Sequence, residues 1–160
     1  MKLDLAQLLQ VAIQSEHIAN QAQGLSMKPE LAKQRAYVQA EGAIVHLMDA
    51  MGVNDAQSAS EDLLPAYLAL IDKFFLVAAK QTWSHLIVMT PDGLDELATK
   101  QLARSLNQQA LATTQFLLKS YFERQQAAFE HAWHLVLKWG LVDLKLKPET
   151  IEREFLALKM

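Results

Sequence analysis

The chain has 160 residues, enough for one domain with a substantial core, and we treat residues 1–160 as a single all-α domain. Hydrophobic residues make up 51% of it, slightly more than is usual, which favours extra buried surface such as a subunit interface. The chain has no cysteine, so disulfides, thiolate metal ligands and cysteine nucleophiles are excluded. The net charge is -3 and Lys and Arg are not clustered, which argues against a nucleic-acid partner.

The N-terminal sequence indicates a cytoplasmic protein. Residues 1–17 lack the long apolar run and the small-residue cleavage site of a secretory signal peptide. In the most apolar part of the chain, the charges of Asp72, Lys73 and Lys80 oppose membrane insertion, because a charge at the bilayer centre costs roughly 2.5–3.5 kcal/mol or more. We therefore do not expect a membrane as a partner.

The first third of the chain predicts two helices. Residues 4–23 carry apolar side chains at helical spacing, with Asp4 as a plausible N-cap. Ser26 is the predicted N-cap of a second helix, which has Pro29 in its first turn, runs to about Met51 and is ended by Gly52. Residues 53–60 predict a polar loop. The apolar arc of the second helix consists of Tyr37, Val38, Ile44, Val45, Leu47, Met48 and Met51.

Residues 63–89 predict the central helix of the molecule. At about 100° per residue, the apolar side chains of this stretch fall on nearly every side and leave only a narrow polar strip that includes Lys73 and Lys80. A helix that is apolar almost all round is buried in a core or spans a membrane, and the charges argue against the second. We expect an all-α bundle of about five helices around this one, with a short C-terminal helix that begins at Pro148.

The segment 94–139 contains neither Gly nor Pro. As one α-helix it would be about 69 Å long at 1.5 Å per residue, which is too long for a compact domain of this size. Its apolar stripe weakens at a polar patch, so we predict a break or kink near 106–110. Gly140 ends the segment.

Two carboxylates fall where apolar side chains are expected. Glu16 lies in the apolar stripe of the first helix, and Asp72 lies away from the polar strip of the central helix. Because burying an unpaired carboxylate is costly, each needs a partner. The functional interpretation is a ligand or a general base. The simpler interpretation, which we favour, is for Glu16 the edge of the stripe or an ion pair with Arg35 or Arg104. For Asp72 it is a buried ion pair or a hydrogen bond between helices.

Five histidines lie on four predicted helices, which is how helical bundles gather metal ligands. Yet the chain has no Glu-x-x-His and no His-Glu-x-x-His motif, and most of the histidines fall on polar helix faces. A metal-binding bundle is therefore the alternative to a protein without cofactors. Its candidate ligands are Glu16, His46, Asp49, His85, Glu130 and His134.

Arg124 and His131 are separated by six residues on one predicted helix. This spacing resembles the Arg-to-His motif of the HEPN superfamily, small all-α proteins that include ribonucleases. The resemblance covers two residues of the chain and no flanking signature. It would imply an active site in which Arg124 and His131 pair across a dimer, with His131 handling the 2′-hydroxyl proton of RNA.

The aromatic residues favour core packing over cofactor binding. Trp139 is the exception, because it closes the predicted long helix beside Gly140 and tryptophan is enriched among interface anchors. Trp139 is therefore the best candidate for an exposed residue that contacts a partner, and the alternative is that it packs against the C-terminal helix. A further alternative is an apolar ligand held in the space around Trp83 and Met89.

The chain contains no serine-nucleophile motif and no phosphate-binding glycine loop, so the sequence leans away from an enzyme. The function that we expect is that of a non-catalytic helical protein, a regulatory or accessory factor. Such a protein would act through self-association, as a homodimer, or through a protein partner. The alternatives are a metal-binding helical bundle and a HEPN-like ribonuclease.

Overall fold

The computed structural model describes residues 1–52 and 61–159, which form seven α-helices and no β-strand. The helices are α1 (Leu5–Ala22), α2 (Pro29–Met51), α3 (Leu63–Gln81), α4 (Pro91–Ala98), α5 (Leu106–Phe122), α6 (Gln126–Lys138) and α7 (Pro148–Lys159). The predicted all-α bundle is confirmed, with more helices than expected because the segment 94–139 divides among three. The loop predicted at residues 53–60 lies outside the described residues. None of the helices described has the length and hydropathy needed to cross a membrane.

The central helix α3 is buried on nearly every side, as its apolar pattern predicts. It contacts α1, α2, α6 and α7. Phe74 stacks on Trp133 of α6 with ring centroids 6.1 Å apart, and Phe75 meets Phe155 of α7 edge-on at 5.6 Å. Aromatic pairs add about 0.5–1.5 kcal/mol to the burial of the rings themselves. Aromatic contacts therefore hold α6 and α7 against α3.

Helix α3 ends at Gln81, well before the predicted end at Met89. Thr82 adopts a left-handed backbone conformation with φ 61°. Its N–H and that of Trp83 donate to the last carbonyl groups of the helix. This is the hydrogen-bond pattern with which a glycine usually closes a helix. Because a threonine holds the position here, no glycine marks the end of α3.

The segment 94–139 breaks twice rather than once. The first break separates α4 from α5 and lies just before the predicted position at 106–110. The second break, at residues 123–125, separates α5 from α6, which pack against each other. Arg124 in this second break has a φ of 53°, which ends α5 without a glycine. The structure therefore resolves the long segment into a short helix followed by a helical hairpin.

A buried ionic cluster fixes the first break. The side chain of Asp143 is 3% exposed and accepts hydrogen bonds from the ammonium of Lys138 at 3.0 Å and the amide of Gln109 at 2.8 Å. Its other oxygen accepts the backbone N–H of Ala103 at 2.7 Å. Ala103 belongs to the connection between α4 and α5, whereas Asp143 ends a π-helical segment, Trp139–Asp143, that follows α6. The carboxylate of Asp143 thus holds the connection between α4 and α5 against the π-helical segment that follows α6.

The expectation that Trp139 is exposed is wrong. Its side chain is 0% exposed, because the chain does not leave the bundle at Gly140 but continues through the π-helical segment. Gly140 lies against the ring of Tyr67, whose hydroxyl donates to the carbonyl oxygen of Val136 at 2.9 Å. Trp139 is thus part of the core, and it offers no surface to a partner.

Alanine at Gly140 and alanine at Gly42 should change the free energy of unfolding in opposite directions. A Cβ at Gly140 would overlap the buried ring of Tyr67, whereas one at Gly42, on an exposed side of α2, would meet no atom within 4 Å. We expect Gly140→Ala to destabilise the fold by about 1–3 kcal/mol or more and Gly42→Ala to stabilise it by about 0.5–1 kcal/mol. Urea denaturation followed by circular dichroism measures both. Equal stability of the two variants would contradict the contact between Gly140 and Tyr67.

Candidate functional site

Glu16 and Asp72, the two acidic residues that the sequence placed among apolar side chains, line the same cleft. Glu16, on α1, accepts a 2.6 Å hydrogen bond from the ammonium of Lys80 on α3. Asp72, on α3, lies 3.1 Å from the ammonium of Lys159 on α7 and 3.8 Å from that of Lys73. Both carboxylates are therefore in ion pairs, as the simpler interpretation predicts, although the partner of Glu16 is neither of the two expected arginines.

The cleft lies between α1, α2, α3 and α7 and has a volume of about 440 Å³, within the range of small-molecule sites. Its cationic side chains among the described residues are Arg35, Lys73, Lys80 and Lys159. Arg35, which α2 contributes to the cleft, forms no ion pair with any residue that the structure describes. The cleft thus contains more positive than negative groups.

Asp72 carries an unsatisfied oxygen in this cleft. The residue is 7% exposed, and its Oδ1 atom has no hydrogen-bond partner within residues 1–52 and 61–159. Leaving a buried polar atom without a partner costs about 1–3 kcal/mol. A hydrogen-bond donor in the cleft would remove this cost once the Asp72 side chain turns Oδ1 toward it.

The candidate metal ligands are spread over the molecule. Glu130 and His134 interact on α6, where burial lowers the pKa of His134 and the negative charge of Glu130 opposes this shift. The other candidates are Glu16 on α1, His46 and Asp49 on α2, and His85 in the 3-10 turn Ser84–Leu86. In the part of the chain that the structure describes, no three His, Asp or Glu side chains lie close enough to hold a metal ion together. The metal-binding alternative therefore finds no ligand cluster in these residues.

Arg124 and His131 have different surroundings. Arg124, in the connection between α5 and α6, lines a cleft of about 590 Å³ that also contains Trp83 and Tyr121. His131, on α6, stacks on Phe116 of α5 with ring centroids 4.0 Å apart and does not line that cleft. The cleft that Arg124 lines therefore does not include His131.

The space considered for an apolar ligand is divided. Trp83 packs against Phe129 with ring centroids 5.7 Å apart and is largely buried. Met89 lines another, smaller cleft of about 220 Å³ beside the N-terminal residues. Trp83 and Met89 therefore line different clefts.

Helices α2 and α5 pack side by side through hydrogen bonds of two tyrosines. The hydroxyl of Tyr37 on α2 lies 2.9 Å from that of Ser120 on α5. The amide of Gln34 on α2 donates to the hydroxyl of Tyr121 on α5, also at 2.9 Å. The Tyr37 and Tyr121 rings meet edge-on at 5.1 Å. These contacts fix the two helices in one orientation.

Beside this contact, both helices expose large apolar side chains. We call these six residues the α2–α5 face: Leu31, Val38 and Val45, seven residues apart on α2, and Leu111, Leu118 and Phe122 on α5. Leu31 and Val38 lie one turn on either side of Gln34, while Leu118 lies one turn before its partner Tyr121 and Phe122 directly follows it. The exposed residues of the two helices therefore lie beside the same contact between α2 and α5.

The apolar arc predicted for α2 is wrong at Val38 and Val45, which are 69% and 59% exposed. The side of α2 that is buried instead contains small residues, Ala36, Ala40 and Ala43. Small side chains let α2 approach α3 closely, so the larger valines are left on the outside. The other members of the arc are at least partly buried: Tyr37, Ile44, Leu47, Met48 and Met51.

Neither the cationic cleft nor the α2–α5 face was predicted. The seven-residue spacing of Leu31, Val38 and Val45 is visible in the sequence, but it is equally typical of a buried stripe. The sequence predicts Lys73 and Lys80 on a solvated strip, and in the structure both line the cleft. Which side of a helix stays uncovered depends on the packing of the whole bundle.

No family model, no curated protein and no solved structure matches the chain. The cleft and the α2–α5 face are therefore the basis on which its function is inferred.

Glu41, on α2 between Val38 and Val45, has a buried carboxylate oxygen, Oε1, without a hydrogen-bond partner among the described residues. Burial raises the pKa of Glu41 from its ordinary value of 4.5 to about 6. Above pH 6 the carboxylate is ionised in both the folded and the unfolded chain, and the fold bears the cost of a partly buried charge. Below pH 4.5 the group is neutral in both states, and this cost is absent.

Glu41→Gln should therefore stabilise the protein at neutral pH and not at pH 4.5. A raised carboxyl pKa means that wild-type stability falls, relative to the variant, as pH rises from about 4.5 to about 6. With solvent screening at a partly exposed group, we expect a gain of about 1 kcal/mol at pH 7. Urea denaturation at both pH values measures the difference. Glu96→Gln, at an exposed position on α4, serves as the control and should change stability little at either pH. A Glu41→Gln effect that does not depend on pH would contradict the assignment.

Proposed function

We propose that the protein is a non-catalytic helical factor that acts through self-association, with a second copy of the chain bound to the α2–α5 face. One observation carries the proposal: large apolar side chains from two adjacent helices are exposed together, and Phe122 is 76% exposed. Single apolar residues on a surface need no explanation, whereas a contiguous patch of them marks an interaction site.

The composition of the α2–α5 face supports an interface. The buried core of a protein interface is depleted of charged residues and enriched in large apolar and aromatic ones. Gln34 and Gly42 lie near the valines on α2, and Gln115 lies between Leu111 and Leu118 on α5; all three are exposed and uncharged. Glu41, between Val38 and Val45, is charged at neutral pH, but it is already partly buried in the single chain.

A second copy of the chain is the occupant that we propose, and the area of the face supports this. The 17 residues of α5 extend about 25 Å at 1.5 Å per residue, and two packed helices present a surface about 20 Å wide. Two such faces bury about 1,000 Å² in total, which reaches the lower limit of specific interfaces. We therefore expect a dimer of moderate affinity, with a dissociation constant in the micromolar range.

The same surface on both copies makes the contact isologous and closes it at two subunits. Every pair of side chains in such an interface occurs twice, so that one substitution removes two contacts. Phe122 and Val38, the most exposed members of the face on their two helices, are the proposed anchors. The cytoplasmic location expected from the N-terminal sequence is part of this proposal.

Charge placed on the α2–α5 face should dissociate the dimer without unfolding the chain. We expect Val38→Glu and Phe122→Glu each to raise the dissociation constant at least about tenfold, because each places two carboxylates in an apolar interface. Sedimentation-velocity ultracentrifugation over a range of protein concentrations measures the dissociation constant, and circular dichroism verifies the fold. Val88→Glu is the matched control, because Val88 is 51% exposed and lies outside the face; it should dimerise like the wild type.

Two results would overturn self-association through this face. One is a wild-type chain that remains monomeric up to about 1 mM, where even a weak specific contact would be populated. In that case a different protein with an apolar helix would be the occupant to test. The other is a dimer that the combined Val38→Glu and Phe122→Glu variant forms as tightly as the wild type.

A further inference from the structure

We propose that the cleft between α1, α2, α3 and α7 binds a small organic anion, a carboxylate or a phosphate, that also carries a hydroxyl or ammonium group. The proposal goes beyond self-association and does not depend on it. It combines three observations in the cleft: an excess of cations, an arginine without an ion-pair partner, and a buried carboxylate oxygen that lacks a donor.

The charge of the cleft is opposite to that of the whole chain. The chain has a net charge of -3, yet the cleft is lined by four cations and two carboxylates among the described residues. A concave site bordered by low-dielectric protein concentrates the potential of its own charges. An anion is therefore attracted to this cleft although the protein as a whole repels it.

Arg35 supplies the primary contact for the anionic group. Its guanidinium forms no hydrogen bond or ion pair with the residues that the structure describes, so all of its N–H donors are free for a ligand. The planar guanidinium matches a carboxylate or a phosphate with two parallel hydrogen bonds. Lys80 adds a second cation, because its ammonium has three donors and the contact with Glu16 uses one.

Asp72 determines which anions fit. Its Oδ2 atom is held by Lys159 at 3.1 Å, whereas Oδ1 is buried and has no donor. A simple anion such as sulfate would repel this oxygen and donate nothing to it. A ligand that also carries a hydroxyl or an ammonium group can donate to Oδ1 once the Asp72 side chain turns this oxygen toward the cleft. The cleft therefore selects for ligands that combine an anionic group with a donor.

The walls leave space for a molecule of metabolite size. The cleft has a volume of about 440 Å³. Where α1 and α2 face it, they contribute the small residues Ala12, Ala19, Ala32 and Ala36. Because these side chains are short, the carbon skeleton of a ligand can lie against the helices while its polar groups reach the charged residues.

The test uses phosphoserine and glutamate as probes for the two anionic groups, and sulfate as an anion without a donor. Isothermal titration calorimetry at equal ionic strength compares their affinities for the full chain. We expect phosphoserine, glutamate or both to bind at least about tenfold more tightly than sulfate, because only these two can donate to Asp72. Binding by one and not the other identifies the phosphate or the carboxylate as the preferred group.

Arg35→Gln should weaken the binding of the preferred probe about tenfold, because it removes charge-assisted hydrogen bonds to the anion. Arg104→Gln is the matched control: Arg104 is exposed, makes no ion pair with the described residues and does not line the cleft. It should bind like the wild type.

Asp72→Asn removes the negative charge of this carboxylate and should reduce the preference for the two probes over sulfate. If Asp72→Asn does not fold, Arg35→Gln alone decides the test, because Arg35 is exposed and its replacement leaves the core intact.

Three outcomes would overturn the proposal. The first is equal binding of sulfate and both probes, which would indicate an adventitious ion only. The second is equal affinity of the wild type and Arg35→Gln. The third is dissociation constants weaker than about 10 mM for both probes, together with a native mass spectrum of the purified protein that contains no retained small molecule. Val38→Glu should bind the probes like the wild type, so this proposal and the proposed self-association can fail separately.

Discussion

The burial of α3 is the constraint on which the rest of the structure depends. Its side chains are apolar on nearly all sides, so they can be removed from water only if other helices surround it. Four helices do so: α1, α2, α6 and α7 all contact α3. Helix α5 packs mainly on α2 and α6. It therefore lies on the outside of the bundle beside α2, and the α2–α5 face results from this outer position of α5.

The cleft follows from the same constraint, at the place where α3 is polar. Asp72, Lys73 and Lys80 are charged residues within an otherwise apolar helix, and close packing over them would bury charge without compensation. The bundle leaves space there, and α1 and α7 supply counter-charges through Glu16 and Lys159. Helices α1 and α7 thus supply the side chains that form ion pairs with the charged residues of α3. The same arrangement leaves Arg35 and one oxygen of Asp72 without partners among the described residues.

Much of the fold could be predicted from the sequence because periodicity reports directly on helices. The apolar central helix is one example. The need of Glu16 and Asp72 for a partner is another, because periodicity places both among apolar side chains. The features that the sequence does not predict depend on contacts between distant residues. A break near 106–110 is predicted from the polar patch, but it is anchored by Asp143, 40 residues after Ala103 in the chain, and no local pattern records such a contact. The burial of Trp139 is not predicted for the same reason, since a π-helical segment after α6 keeps it in the core.

Helix α2 shows why the candidate sites were harder to predict than the fold. The apolar pattern predicts that its valines lie inside, yet the buried side of α2 consists of Ala36, Tyr37, Ala40, Ala43, Ile44, Leu47 and Met51. Once this side packs on the bundle, the rotation of the helix is fixed, and the valines must emerge on one adjoining side and Arg35 on another. At about 100° per residue, Arg35 and Val38 differ by about 60° around the helix axis. The interface and the ligand cleft that we propose therefore both follow from which side of α2 packs against α3.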